Sequence, residues 1–159
     1  MVKTGIGFDI HRLVSNRALV LGGVSIEHKT GLAGHSDGDV LSHAVADALL
    51  GAVTDGDIGT HFPDTDSRWK DVRSLELLPM VITRLANKHA HVLHIDATII
   101  AEQPKIAPYR SSMQMNLARA LNVLPECVSI KATTAEGLGS LGKQEGIAAI
   151  AIATVEVKK

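Results

Sequence analysis

The sequence predicts a single α/β domain. Three observations carry that expectation: strand-like segments alternate with segments of helical periodicity, the length suits one core, and the apolar content can fill it. The chain has 159 residues, 45% of them hydrophobic and 21% charged, which fits one soluble globular unit and leaves too little for two ordinary ones. A formal net charge of -1 gives no bulk electrostatic reason to expect a nucleic acid or an acidic membrane as partner. The lone cysteine, Cys127, has no internal partner for a disulfide, as suits a reducing compartment. No leader-like segment follows Met1-Val2-Lys3 and no long apolar span occurs, so the expected location is cytoplasmic.

Residues 4–13 predict the first strand. Side chains alternate along an extended chain, so Asp9 and His11 share one face, framed by Gly5 and Gly7. A carboxylate and an imidazole side by side are a weak signal alone; a second imidazole would make them a three-ligand site with an open position, as catalytic zinc sites have. Residues 18–26 read as a hairpin or bent strand broken at Gly22-Gly23. The stretch 34–47 begins as a tight loop and continues as a helix, with Ser36 or Asp37 as N-cap and Asp39 in the first turn. Val40, Leu41, Ala44, Ala48 and Leu49 continue its apolar stripe. His43 lies in that helix as the candidate third ligand, and Asp47, four residues on, is within reach to orient it.

Residues 51–66 carry Asp55, Asp57, Asp64 and Asp66 among glycines and Phe62-Pro63, which reads as a loop. An acidic loop is ordinarily a solvated connector, but this composition also suits the fixing of hydroxyl groups on a rigid scaffold. Leu75, Leu78, Ile82 and Leu85 predict a helix over 74–88, weakened at its centre by Pro79. Trp69 reads as a packing anchor, and His89, His91 and His94 as surface residues at a helix–strand junction. A strand over 95–101 runs into a proline-framed loop, 102–108, whose free backbone groups suit a base or sugar. A helix over 109–122 follows, with Met113, Leu117, Ala120, Leu121 and Leu124 on one side, then a strand over 128–132.

Thr133 with Glu136 matches a capping box. The hydroxyls, glycines and Lys143 that follow also meet the needs of phosphate binding, although the Walker A spacing is absent. The last strand, 147–157, is crowded with alanines, which predicts close packing on both faces.

Taken in order, Gly-Phe-Asp-Ile-His (7–11), Gly-His-Ser-Asp-Gly-Asp-Val (34–40) through His43, Gly-Asp-Ile-Gly (56–59), Phe-Pro-Asp-Thr-Asp (62–66), Lys-Ala-Thr-Thr-x-Glu (131–136) and Glu-Gly-Ile-Ala (145–148) resemble the 2-C-methyl-D-erythritol 2,4-cyclodiphosphate synthase family over essentially the whole chain. The resemblance implies one synthase domain over residues 1–159, with a mostly four-stranded mixed sheet covered by helices on one face. It implies a homotrimer with active sites between subunits and no nucleic-acid or membrane partner. The substrate would be 4-diphosphocytidyl-2-C-methyl-D-erythritol 2-phosphate, whose 2-phosphate attacks the diphosphate, closes the ring and expels CMP.

By the same resemblance Asp9, His11 and His43 bind zinc, and Glu136 binds a second divalent cation, magnesium or manganese. His35 and Thr134 match the catalytic positions that stabilise the transition state. His35, Ser36, Asp57, Ile58, Gly59, Phe62, Pro63, Asp64, Thr65 and Asp66 match the methylerythritol and phosphate side, beside Asp9 and His11. Ala101, Glu102, Gln103, Pro104, Lys105, Ile106, Ala107 and Thr133 match the cytidine side, and Thr134, Ala135, Glu136, Ser140 and Lys143 are further substrate contacts. Lys143 stands where the family commonly has arginine, and Gln144 where glycine is common; lysine is a point charge without the bidentate fork. A zinc-dependent nucleotide pyrophosphohydrolase, using the same ligands to activate water, is the alternative enzyme. A binding module with a structural metal is the alternative from another class, and an open coordination position favours catalysis over it.

Overall fold

The computed structural model describes residues 1–158. Strands β1 (Val2–Ser15), β2 (Leu19–Leu21), β3 (Val24–Ile26) and β4 (Thr30–Leu32) precede helix α1 (Val40–Ala52) and the short α2 (Ile58–His61). Helix α3 (Leu77–Asn87), strand β5 (Ala90–Ile100), helix α4 (Arg110–Leu121), strand β6 (Val128–Thr133), the short α5 (Gly139–Gly142) and strand β7 (Gly146–Val157) complete the chain. A mixed sheet runs in the order β4-β1-β7-β5-β6. Strand β7 is antiparallel to both β1 and β5, whereas β5 and β6 are parallel. The sheet therefore has five strands among the described residues, where four were expected. The fifth, β4, is three residues long and contains Gly31, too short to show any alternation.

The β2–β3 hairpin forms as expected, turning at Gly22 and Gly23, both at positive φ. Strand β5 begins at Ala90, so His91 and His94 lie within the strand and not before it, and His91 pairs with Glu156 at 3.2 Å. Pro79 sits in the first turn of α3, where its missing N–H has no helical partner to lose, so the expected central weakness does not arise. Leu124 lies beyond the left-handed cap at Asn122 and is exposed, so it does not belong to the buried stripe of α4. No helix among the described residues is long and apolar enough to cross a membrane.

Helix α1 is the centre of the core. Val40, Leu41, Ala44, Val45, Ala48, Leu49 and Leu50 are fully buried, because the helix is covered by β1 and β7 on one side and by α3 on the other. Its N-cap is Asp39, and not Ser36 or Asp37, since Gly38 at φ 74 turns the chain just before it. The Asp39 carboxylate accepts from the amides of Gly22, Gly23 and Ser42 and from the Ser42 hydroxyl, at 2.8–3.1 Å. The same side chain thus caps the helix and ties the hairpin turn to it. Burial pushes this carboxyl up from the usual range, against the pull of those donors.

The helix sits directly on the glycines of β1. A Cβ at Gly7 would lie 1.9 Å from the Ala44 carbonyl oxygen, and one at Gly5 would lie 2.1 Å from that of Ala48. No side chain separates the two backbones, and this contact brings the next residues of that strand face, Asp9 and His11, beneath the first turns of α1. We expect Gly7→Ala to lift the helix, lowering stability by about 1–3 kcal/mol or more. Denaturant unfolding measures the effect, and a wild-type value would mean that the seat tolerates a methyl group.

The opposite sheet face is uncovered. Ile6, Phe8 and Ile10 of β1 lie beside Ile150 and Ile152 of β7 in the antiparallel register, and all five are exposed. The expectation of packing on both faces of β7 therefore holds only as far as Ala148. A row of small residues, Ala149, Ala151 and Ala153, meets α1, while the alternate positions are left open.

Candidate metal centre and active site

Asp9 and His11 of β1 meet His43 of α1. Among the described residues their donor atoms form a group lying within 4.8 Å of one another. The Asp9 Oδ2 is 3.0 Å from His11 Nε2 and 2.9 Å from His43 Nδ1. The second nitrogen of each ring has its own acceptor: His11 Nδ1 donates to the Ala33 carbonyl, and His43 Nε2 faces the Ser74 hydroxyl at 2.8 Å. With those outer nitrogens engaged elsewhere, a metal ion would replace the protons that the inner nitrogens share with Asp9, so the donor set fits a divalent metal. Burial disfavours the Asp9 carboxylate, but hydrogen bonds and charge from His11 and His43 outweigh it and hold the carboxyl well below the usual range. The bond to Asp9 raises His11 against the effect of burial. Asp9 and His11 thus stabilise each other's charged forms, a balance that a bound cation would take over.

Asp47 does not orient His43. Its Oδ1 accepts from the Ile58 amide at 2.7 Å and so anchors the start of α2. The spacing of four permits a His–Asp contact, but the His43 ring is turned to β1. Burial pushes the Asp47 carboxyl up, and Asp57 nearby adds to the effect while the Ile58 amide opposes it.

The acidic loop is built mostly by its own aspartates. Asp57 caps α2 through the amide and hydroxyl of Thr60, each at 2.8 Å. Asp55 is gripped by Arg84 at 2.6 Å and Lys88 at 3.0 Å, and Asp66 by Arg68 at 2.5 Å. Asp64 remains exposed, on the wall of a cavity of ≈ 480 Å³. That cavity gathers Asp9, His11, His35, Ser36, His43, Ile58, Gly59, Phe62, Pro63 and Asp64, with Trp69, Val72 and Leu77. Trp69 is the expected packing anchor, standing edge-on to Phe62 with ring centroids 5.1 Å apart. The Nε2 of His35 is buried without a partner among the described residues. Asp57, Thr65 and Asp66 are outside the lining.

The remaining expected residues assemble elsewhere. The Ala101 amide donates to the Thr133 carbonyl at 3.0 Å, and Glu102 accepts from the amides of Ala135 and Gly137 at 2.8 and 3.3 Å. Gln103-Pro104 is a cis peptide, Lys105 is exposed, and Ile106 is buried. Thr134 donates to Glu136 Oε1 at 3.1 Å, and its hydroxyl accepts the Glu136 amide at 3.2 Å. The capping box does not form: Thr133 ends β6, Glu136 has φ 52, and the next helix starts only at Gly139. Ser140 borders a smaller cavity with His11, Arg12 and Glu145, and Lys143 caps α5 in an exposed position. No residue of 101–107 or 133–143 lines the larger cavity, so one chain carries two patches that meet only where Ser140 shares the smaller cavity with His11.

Sequence reasoning assigned Ser74 no place near the site and Asp37 only that of a candidate helix cap, yet both lie beside His43 and its surroundings. Ser74 is 31 residues from His43 and is fully enclosed, so no local pattern identifies it.

The YgbB family model matches residues 2–156. The chain is 56% identical over 154 residues to the 2-C-methyl-D-erythritol 2,4-cyclodiphosphate synthase of Alkaliphilus metalliredigens, covering 97% of each chain. It superposes on the IspF of Plasmodium falciparum, solved as a CDP complex, with a TM-score of 0.87 at 31% identity, covering 99% of this chain and 97% of that one. Against the bifunctional IspDF of Campylobacter jejuni the TM-score is 0.95 at 39% identity, covering all of this chain and 43% of that one.

Proposed function

The chain belongs to the YgbB family, the 2-C-methyl-D-erythritol 2,4-cyclodiphosphate synthases, and from that premise we propose how its residues share the work. The enzyme converts 4-diphosphocytidyl-2-C-methyl-D-erythritol 2-phosphate to 2-C-methyl-D-erythritol 2,4-cyclodiphosphate and CMP in non-mevalonate isoprenoid synthesis. The observation that carries our reading is the convergence of Asp9, His11 and His43 on the cavity wall.

Two imidazoles and one carboxylate suit zinc, with a coordination position left for substrate. Glu136, an exposed carboxylate, suits a magnesium or manganese ion that shares phosphate oxygens. Such cations neutralise and polarise the phosphate groups. The chain's own groups supply position. His35 stands on the cavity wall with Nε2 unpartnered, so a turn of its ring would present that nitrogen to a phosphate oxygen. Ile58, Phe62, Trp69 and Leu77 give an apolar surface for the methylerythritol carbon skeleton, with Asp64 beside them to accept its hydroxyls. The 101–107 loop, with Thr133 at its base, takes the cytidine, and Thr134 and Ala135 face the diphosphate. Ser36, Gly59 and Pro63 border the methylerythritol end, and Asp57, Thr65 and Asp66 support it through the loop. Ser140 and Lys143 lie on the diphosphate side. Holding the attacking phosphate within one substrate supplies the entropic advantage of an intramolecular reaction, up to roughly 7–11 kcal/mol in well-oriented cases. No general base is needed, because the attacking phosphate is ionised near neutral pH.

Neither patch suffices alone, and the uncovered apolar sheet face supports association. The arrangement we propose is a cytoplasmic homotrimer in which the metal patch of one subunit faces the cytidine patch of the next. Hybrid trimers test it. Mixing inactive His43→Ala and Glu136→Gln chains at equal amounts should restore about one quarter of wild-type activity, since one ordered neighbour pair in four carries both intact patches. No recovery despite demonstrated subunit exchange would count against shared sites.

A further inference from the structure

We propose that Ser74, held in turn by Asp37, is the positioning residue for His43; the inference rests on the metal reading of Asp9, His11 and His43. Ser74 is 1% exposed and lies where a 3₁₀ turn leads into α3. Its hydroxyl is 2.5 Å from Asp37 Oδ1, and its amide donates to Asp37 Oδ2 at 3.2 Å. Both oxygens of one carboxylate are therefore turned to one serine. A carboxylate only accepts, so the Ser74 proton goes to Asp37 and the lone pairs of Ser74 Oγ face the imidazole, 2.8 Å from His43 Nε2. The Ser36 hydroxyl, 3.0 Å from Ser74 Oγ and 3.3 Å from the same ring nitrogen, completes the surroundings.

The acceptor side that Ser74 turns to the ring favours a proton on Nε2, donated to Ser74, and makes Nδ1 the nitrogen that a metal ion would take in place of the proton it shares with Asp9. Asp37 makes Ser74 a better acceptor and so makes the ring a stronger donor of its Nδ1 lone pair, the effect that a carboxylate or carbonyl exerts on a ligating histidine directly. His11 gets the same service from the Ala33 carbonyl; His43 gets it through a hydroxyl. The support is tied into the rest of the site. Asp71 donates its amide to the His35 carbonyl at 3.0 Å, and Asp37 donates its own to the Val72 carbonyl at 3.3 Å. Segment 71–74 therefore holds the His35 loop and the metal ligand together.

The test uses zinc alone as probe, with affinity measured by competition against a chromophoric chelator. We expect Ser74→Ala to weaken zinc binding by about 10–100-fold, and Asp37→Asn, which keeps an acceptor oxygen but loses the charge, by roughly 10-fold. In zinc-loaded protein carrying ¹⁵N-labelled histidine, the His43 Nε2–H should exchange slowly with water. That protection should vanish in Ser74→Ala, a change that general loosening of the fold at unchanged melting temperature does not produce. Tight zinc binding by the unaltered chain, matched by Ser74→Ala with the exchange protection intact, would overturn this proposal alone. Failure of the unaltered chain to bind zinc would overturn the metal reading and this proposal with it. Should Ser74→Ala not fold, Asp37→Asn decides the matter, and unchanged affinity and exchange in that variant overturn it.

Discussion

His43→Ala should remove the zinc and nearly all turnover while leaving the fold standing. The ring contributes the one ligand that comes from a helix, with Nδ1 2.9 Å from Asp9. Without it only Asp9 and His11 remain, adjacent on one strand and unable to surround an ion. Metal polarisation of phosphate oxygens contributes several kcal/mol to such reactions, so kcat/KM should fall by about three orders of magnitude. The fold has reason to survive: alanine is the best helix former, and the site is at the edge of the core, with the His43 side chain still 13% exposed. Elemental analysis after dialysis, CMP release and thermal melting separate the effects. Full zinc occupancy in the variant would refute the ligand assignment.

Glu136→Gln should leave that zinc in place and strike the other patch. Glu136 sits in the left-handed region, exposed, with Oε1 accepting from the Thr134 hydroxyl. Glutamine has an oxygen in the same place, so the loop geometry has a reason to persist while the charge is lost. The neighbouring carboxylate cannot substitute, because Glu102 is engaged by the amides of Ala135 and Gly137. We expect magnesium-dependent turnover to fall on the order of 100-fold, comparable to the loss of one group that stabilises transition-state charge, with near-normal melting. Initial rates over a magnesium series provide the measure. Surviving turnover alongside a lowered melting temperature would reduce Glu136 to a structural residue.

The parts of this design legible in the sequence are those governed by strand period. Alternation in β1 places Asp9 and His11 on one face and the row Gly5-Gly7 before them, and the apolar stripe of α1 brings His43 to that face. What escaped depends on contacts far along the chain. The spacing of Asp47 from His43 says which residues neighbour each other along a helix, but not which way an imidazole turns. The true cap of α1 was set by the fold of Gly38 and by hairpin amides at Gly22 and Gly23. Thr133 and Glu136 have capping-box spacing, but β6 continues through the first of them. Ser74 meets His43 across the whole acidic loop, 31 residues along the chain. On β7 apolar residues occupy both faces, so composition implied burial on both, and one chain by itself covers only the alanine side.

The first strand has a consequence for the fidelity of folding. Its odd positions carry the helix seat and then two metal ligands, and its even positions carry Ile6, Phe8 and Ile10. A slip of one residue exchanges these faces at a stroke. The helix would then meet isoleucine and phenylalanine where it needs glycine, and Asp9 and His11 would point away from His43. A mispaired chain is thereby left without its ion as well as without its seat. On the proposed metal reading, a bound ion would favour chains that have paired β1 and β7 in this register, because only these bring Asp9, His11 and His43 together.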